Sequence, residues 1–250
     1  EPSDARRAWP CLDQPDLKAR LRLTVTHPAG WTVLGNGTVA TTRQVGAAVV
    51  SGLSATEPLP TYLTALAAGP WHRVTGTWVP AAPTAPVPLS WSCRSSLAAH
   101  LDADELLDLT GRGLSLYERT YTYPYPWGSY DCVLVPEYNI GAMENPGCVT
   151  FSEDAYLFRG PATRAQHAGR ANTLLHEMCH MWFGGLVTPR WWEDTWLKES
   201  FADYTGTWAE EQLGYAEAWV AFASSRKLWA YQEDTRPDTT HPVVATVHDV

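Results

Sequence analysis

The first third of the chain alternates apolar and polar residues with a period of two. In "LRLTVTH", Leu21, Leu23 and Val25 fall on one face, and the segments "HPAGW" and "GNG" interrupt the pattern. Such alternation between glycine- and proline-containing turns is typical of antiparallel strands with one buried face. The sequence therefore predicts an all-β portion over residues 1–75. Residues 80–90, "PAAPTAPVPLS", are predicted to form a stiff connection or a surface loop.

The apolar period then changes to that of an α-helix. In "DADELLDLTGRGLSLYERTY", apolar residues recur at helical spacing after an aspartate-rich start that can cap a helix. The stretches "YDCVLVP" and "GCVTFSE" predict two buried strands, separated by the tight segment "YNIGAMENPG". From Gln166 the spacing is helical almost to the end, in three helices of which the first closes at Gly184 and Gly185. The whole pattern predicts an α+β fold.

Composition narrows the class of protein. The 250 residues are 45% hydrophobic and 18% charged, and the formal net charge of −9 argues against binding to nucleic acid or anionic membranes. No apolar run reaches the roughly 18 residues that a membrane-spanning helix needs. Five scattered cysteines lack the spacing of a disulfide framework, so we expect reduced thiols and a cytoplasmic protein. The chain starts and stops in mid-pattern, and we expect it to be a fragment.

The segment "HEMCH" contains the strongest candidate chemistry. On a helix, His176 and His180 project from the same face, so both imidazoles can bind one metal ion. Glu177 lies close enough to reach a water molecule on that ion without acting as a ligand. Zinc with three protein ligands lowers the pKa of its water to about 7, and the glutamate can accept the proton. The alternative is two hydrogen-bonded histidines buried in a helix.

A third ligand is available on the next predicted helix. Glu199 follows His180 after eighteen intervening residues, which include two glycines, a proline and an aromatic cluster. The chain can therefore fold back and present this carboxylate to the histidines. Glu193 and Asp194 could compete for the position, but we expect them to be helix caps or surface groups.

Asp203 is a candidate for orienting a ligand. It lies one helical turn after Glu199, where it could accept a hydrogen bond from the non-ligating nitrogen of His176 and so select the tautomer. The alternative is a solvated helix charge. Cys179 is predicted to be a small core residue and not a metal ligand.

Four motifs together resemble the aminopeptidase N family of zinc metallopeptidases, which are gluzincins. They are the H-E-x-x-H segment, the later glutamate within "WLKESFADY", the upstream "GAMENPG" and the opening "EPSDARRAWPCLDQP". The resemblance covers nearly the whole chain. It implies that residues 1–75 are the end of an N-terminal β-sandwich domain with a saddle shape. Residues 76–250 would be a truncated thermolysin-like zinc peptidase domain with a mixed sheet and helices, and further C-terminal domains would follow.

The resemblance also implies roles for single residues. One Zn²⁺ would be bound by His176, His180 and Glu199, and Glu177 would be the general base. The implied activity is removal of the N-terminal residue from peptides that have a free N-terminus. The alternatives are a zinc epoxide hydrolase of the same family and a catalytically silent homologue that binds peptides.

Substrate contacts are implied at two places. Glu144 of "GAMEN" would bind the substrate's α-ammonium group. Glu1 matches the family's second acidic residue that binds this group. Gly141 and Ala142 would let the substrate backbone approach and pair with a strand edge. The pocket for the first side chain should include residues near Met143 and Glu1.

Two positions depart from the family pattern or lie outside the chain. Gly185 stands where the family usually has aspartate or asparagine, so a polar contact near the site is missing or replaced. The family's catalytic tyrosine is expected beyond Val250, and Tyr204 and Tyr231 come too early to match it. Because a missing oxyanion donor costs about a hundredfold or more in turnover, we expect the isolated chain to hold zinc but turn over poorly.

Overall fold

The computed structural model describes residues 4–82, 84–244 and 246–248. The strands within these ranges are β1 Thr24–Pro28, β2 Thr32–Gly35, β3 Val39–Val45, β4 Ala48–Leu53, β5 Leu66–Gly69, β6 Trp71–Trp78, β7 Val87–Arg94, β8 Tyr130–Val135, β9 Ala142–Met143 and β10 Val149–Ser152. The α-helices are α1 Ala5–Ala8, α2 Ala103–Tyr121, α3 Glu153–Tyr156, α4 Arg164–Cys179, α5 Thr195–Gln212, α6 Ala218–Ala221 and α7 Lys227–Asp234. Short 3₁₀ helices cover Thr61–Leu63, Ser95–His100 and Trp192–Asp194, and a π-helical turn covers Phe222–Arg226.

The N-terminal strands form two small antiparallel sheets. One has the order β1-β4-β3 and the other pairs β2 with β5. Every residue of β3 is exposed, as expected of an edge strand rich in threonine and other polar side chains. The prediction of antiparallel strands in this part of the chain is confirmed, and so is the α+β class.

A mixed five-stranded sheet forms the second layer, with the order β6-β7-β8-β10-β9. Strand β7 pairs antiparallel with β6 and parallel with β8, and α2 provides the crossover that the parallel pair requires. Strands β7 and β8 are buried along most of their length, as strands covered on both faces must be. Strand β9 pairs antiparallel with β10 at the edge of this sheet, so it is a strand within the segment predicted as a tight connection.

The proline-rich stretch is shorter than predicted. Residues 87–90 belong to β7, because Val87 and Leu89 are buried in the main core and Pro88 faces outward. The domain boundary expected between residues 75 and 76 lies inside β6, and the division into domains at that point stays a prediction.

Helix α4 starts with a capping box and ends earlier than predicted. Thr163 accepts a hydrogen bond from the backbone of Gln166, whose side chain accepts one from the backbone of Thr163. The α-helix ends at Cys179 and not at the two glycines, but His180 keeps helical dihedral angles (φ −61°, ψ −19°). The four-residue spacing of the two histidines therefore still places them on one face. In the described part of the chain, no helix is both long and apolar enough to span a membrane.

Helix α5 packs closely against α4 at a glycine. A β-carbon on Gly206 would lie 3.1 Å from the backbone nitrogen of His176 and 3.2 Å from its Cα. Both atoms belong to a helix backbone, so they cannot move aside as a flexible side chain could. Gly206 therefore sets how near the helix carrying Glu199 comes to the helix carrying His176.

We expect Gly206→Val to lower the free energy of unfolding by about 1–3 kcal/mol, because the added carbons overpack the α4–α5 contact. Gly169→Val is the matched control, since a β-carbon on this α4 glycine meets no atom within 4 Å. The control should stay within about 0.5 kcal/mol of the unchanged chain. Urea unfolding followed by circular dichroism measures both. Equal unfolding midpoints for the two variants would show that the helices do not depend on close approach at Gly206.

Candidate metal centre and catalytic cleft

Three candidate ligand atoms converge where α4 and α5 meet. His176 Nε2 and His180 Nε2 are 3.2 Å apart, and each lies 3.4 Å from Glu199 Oε2. The histidines come from the last turn of α4 and its C-terminal cap, and the glutamate comes from the second turn of α5. The fold thus brings together the three residues that the sequence analysis predicts as ligands, in a nearly equilateral triangle.

This triangle has the dimensions of one face of a zinc site. Zinc binds imidazole nitrogen and carboxylate oxygen at about 2.0–2.2 Å, and tetrahedral angles then separate ligand atoms by roughly 3.3–3.6 Å. Two imidazoles and one carboxylate are also a donor set that catalytic zinc sites use, with a fourth position open. The residues present therefore fit a zinc ion.

Glu177 lies beside this triangle in a buried environment. One ligand atom from each of Glu144, Glu177 and His180 lies within 4.8 Å of the other two. The side chain of Glu177 is buried, and this burial raises its pKa to about 8 in the metal-free protein, although the charge of His180 acts in the opposite direction. Glu177 is thus a carboxyl group whose protonation can change near neutral pH.

The cleft contains two residues that the sequence analysis did not single out. Lys198 Nζ donates to Glu144 Oε1 at 2.7 Å and also to Glu199, and the Tyr62 hydroxyl donates to the same Glu144 oxygen at 3.2 Å. Burial alone would raise the pKa of Glu144, but the charges of Lys198 and His180 and the hydrogen bond from Lys198 together outweigh it and lower that pKa to about 2. Lys198 adjoins Glu199 in sequence, yet its partner Glu144 is 54 residues away, so only the fold shows this contact.

The charges around the triangle shift the pKa values of its members in different directions. Burial disfavours the ionised form of Glu199, but hydrogen bonds from both histidines hold its pKa well below the ordinary range. Burial also disfavours the charged form of His180, but Glu144 and Glu199 together raise its pKa. Burial lowers the pKa of His176, and the Glu199 hydrogen bond offsets this only in part. The metal-free cluster thus stabilises negative charge on Glu199.

The segment around β9 forms the wall of the cleft. Ala142 and Met143 make up this edge strand, and Glu144 follows directly. A β-carbon on Gly141 would lie 3.1 Å from the Tyr156 hydroxyl, so this glycine makes room for Tyr156, and its role in substrate approach stays a prediction. The resulting cavity has a volume of about 320 Å³ and is lined by Ile140, Ala142, Met143, Glu144, His176, Glu177, His180 and Glu199.

The expected contact of Asp203 with His176 is wrong in this structure. Asp203 pairs instead with the guanidinium of Arg226, which packs beside α5 and offers a full positive charge where an imidazole N–H offers a weaker donor. Among the described residues, His176 Nδ1 is buried without a hydrogen-bond partner. Cys179 is a fully buried core residue near the Tyr121 hydroxyl, as predicted. Glu1 lies outside the described residues, and its role stays a prediction.

Gly185 is enclosed on the side where the family usually carries a side chain. A β-carbon there would lie 3.0 Å from the Trp127 ring, whose Nε1 donates to Met181 O. A larger residue would therefore have to displace a buried tryptophan.

Comparison with known proteins gives consistent matches along the chain. Residues 105–250 match "Peptidase family M1 domain", and residues 1–63 match "Peptidase M1 N-terminal domain". All of the chain aligns with 29% of "Aminopeptidase N" from Streptomyces lividans at 42% identity, and with 31% of "Leucyl aminopeptidase" from Saccharolobus solfataricus at 32% identity. "Aminopeptidase N" from Homo sapiens is 35% identical over 86% of the chain and 22% of that protein. The chain spans less than a third of the length of these relatives.

We expect the metal-free chain to lose stability through Glu177 as pH rises from about 4.5 to about 8. Over this window the unfolded chain releases the Glu177 proton while the folded chain keeps it, so rising pH favours unfolding. Glu177→Gln removes the ionisation. Its unfolding free energy should match that of the unchanged chain near pH 4.5 and exceed it by at least about 1 kcal/mol at pH 8.5.

Urea unfolding in the presence of a chelator measures this difference at both pH values. Glu211→Gln, an exposed site on α5, is the control and should show no such trend. A Glu177→Gln advantage that is the same at both pH values would contradict the raised pKa.

Proposed function

The chain belongs to peptidase family M1, and on that premise we propose that it forms the zinc-dependent hydrolytic centre of an aminopeptidase. The observation that carries the proposal is the triangle of His176, His180 and Glu199 donor atoms, bordered by the buried carboxyl groups of Glu144 and Glu177. The reaction would be hydrolysis of the first peptide bond of a substrate that has a free N-terminus. The names of the relatives agree with this activity.

His176, His180 and Glu199 would hold zinc, and all three residues line the cavity. Zinc bound there would polarise the substrate carbonyl and lower the pKa of a water molecule to about 7. His180 is oriented for this task, because its Nδ1 lies 2.9 Å from the carbonyl oxygen of Phe183 and its Nε2 points into the triangle. A carbonyl can only accept a hydrogen bond, so Nδ1 carries a hydrogen. Nε2 is then the nitrogen whose lone pair would bind zinc.

Glu177 would act as the general base. It is buried beside the triangle, so it can accept a proton from water and pass it to the leaving amine without competing solvent. A carboxyl group with a pKa of about 8 would be largely protonated at neutral pH, and a divalent cation nearby would favour its ionised form. We therefore expect metal binding and activation of the base to be coupled.

Glu144 would select substrates with a free amine. Its carboxylate is buried and ionised, and the bonds from Lys198 and Tyr62 both go to Oε1, so Oε2 is the oxygen that we expect to receive the α-ammonium group. A carboxylate at a fixed distance from the triangle admits one residue before the scissile bond. The edge strand β9, which ends beside Glu144, offers backbone groups for pairing with the peptide.

We expect Glu177→Gln to reduce turnover of an alanine arylamide by about 10²–10⁴-fold, since the variant removes the proton acceptor and keeps the three ligands. The measurement is chelator-sensitive arylamine release by the zinc-loaded protein, with zinc content determined in the same samples. Glu211→Gln should retain full activity. Zinc content below one ion per chain in the unchanged protein would overturn the metal centre, and unchanged turnover in Glu177→Gln would overturn the role of the base.

Recognition of the free amine can be measured by ligand binding, without turnover. Leucine hydroxamate, whose hydroxamate group binds zinc, should bind about a hundredfold or more tightly than its N-acetylated form, because only the free amine pairs with Glu144. Glu144→Gln should remove most of this difference, and Glu211→Gln should preserve it. Calorimetric titration of each ligand into the unchanged protein and the two variants measures the six dissociation constants. Equal binding of the two ligands to the unchanged protein would point to an endopeptidase or a different ligand class.

A further inference from the structure

Lys18 links the N-terminal segment to the chain that follows α4. Its Nζ donates to Gly185 O at 2.8 Å and to Leu186 O at 2.7 Å, across 167 and 168 residues of sequence. We call residues 183–188 the post-helix turn. Lys18 is partly buried at this contact, and the further donor to Gly185 O, the Thr188 hydroxyl at 3.3 Å, belongs to the turn itself.

The post-helix turn sets the orientation of His180. The ring Nδ1 donates to Phe183 O at 2.9 Å, and the backbone nitrogen of Gly185 donates to His180 O at 2.8 Å. Gly184 packs directly on the ring, since a β-carbon there would lie 3.3 Å from His180 Nδ1. A movement of the turn would therefore move the acceptor that selects the His180 tautomer.

Bonds within the turn fix its shape, and backbone bonds from Phe183 N to Cys179 O at 3.0 Å and from Val187 N to Trp182 O at 2.8 Å join it to the end of the helical segment. Gly184 N donates to Val187 O at 2.7 Å, and the Thr188 hydroxyl donates to Gly184 O at 2.7 Å. These bonds would move with the turn as a unit. The bonds from Lys18 differ because they come from a separate part of the chain.

The backbone next to Lys18 is held by hydrogen bonds to the main core. The next residue, Ala19, exchanges two backbone hydrogen bonds with Leu59, at 3.0 and 3.1 Å. Leu59 is buried in the main core. The lysine stem therefore reaches the turn from a fixed point on the N-terminal part of the chain.

We propose that Lys18 is a positioning residue for His180: it holds the post-helix turn so that Phe183 O accepts from Nδ1 and Nε2 faces the other two ligands. The proposal rests on the proposed zinc site and assigns part of that site's geometry to the N-terminal segment. Loss of the ammonium would release the turn, loosen the ring and let both tautomers of neutral His180 form. Zinc would then bind less tightly although all three ligands are present.

The test compares zinc dissociation constants for variants at this position, measured by competition with a chromogenic chelator. Removing a group that directly contacts a metal ligand typically costs 10–100-fold in affinity, and Lys18 acts one bond further out, so Lys18→Met should weaken binding about three- to tenfold. Lys18→Arg can still donate to both carbonyls and should bind zinc as the unchanged chain does. Lys227→Met, an exposed site on α7, is the matched control with the same loss of charge.

A second readout separates positioning from a purely structural role. Nitrogen-15 spectra of the metal-free protein, at a pH where the ring is neutral, should show the Nδ1–H tautomer of His180 in the unchanged chain and a mixture in Lys18→Met. Unchanged zinc affinity and an unchanged tautomer in a folded Lys18→Met protein would overturn the proposal, even if its unfolding midpoint falls. If Lys18→Met does not fold, Lys18→Ala, which also has no donor, replaces it under the same criterion. Failure of the unchanged chain to bind zinc would instead overturn the proposed function.

Discussion

The close approach of α4 and α5 is the constraint on which the site depends. Gly206 lets the second helix lie against the backbone of His176, and this contact brings the Glu199 carboxylate within 3.4 Å of both imidazoles. Neither helix could bind a metal ion alone, because two histidines supply too few ligands. The separation of the helices therefore determines whether three ligand atoms form a triangle of the right size.

Burial of several charges in one small cleft is the cost of this arrangement. Glu144, Glu177 and Glu199 border the same cavity, and each loses hydration there. Lys198 compensates two of them by donating hydrogen bonds to both Glu144 and Glu199, whereas burial raises the pKa of Glu177 to about 8. The cluster therefore favours added positive charge, which zinc and a substrate ammonium group would supply.

The N-terminal part of the chain contributes to the cleft as well as to the core. Tyr62, on the 3₁₀ segment before β5, donates to Glu144 and packs edge-on against Trp192. Lys18 reaches the turn behind His180. Both contacts join residues far apart in sequence, so the part that resembles an N-terminal domain supports groups on either side of the proposed zinc site.

The sequence by itself determined the α+β class and which residues are the candidate ligands and the proposed base, because helical spacing fixes which side chains share a face and alternation identifies strands. Only the tertiary structure decided the partners of those residues. The links of Lys198 and Tyr62 to Glu144, and of Asp203 to Arg226, depend on how separate elements pack, which no local pattern encodes. The end of α4 at Cys179 and the start of β7 at Val87 were missed for the same reason: core packing and long-range pairing outweighed the local glycine and proline signals.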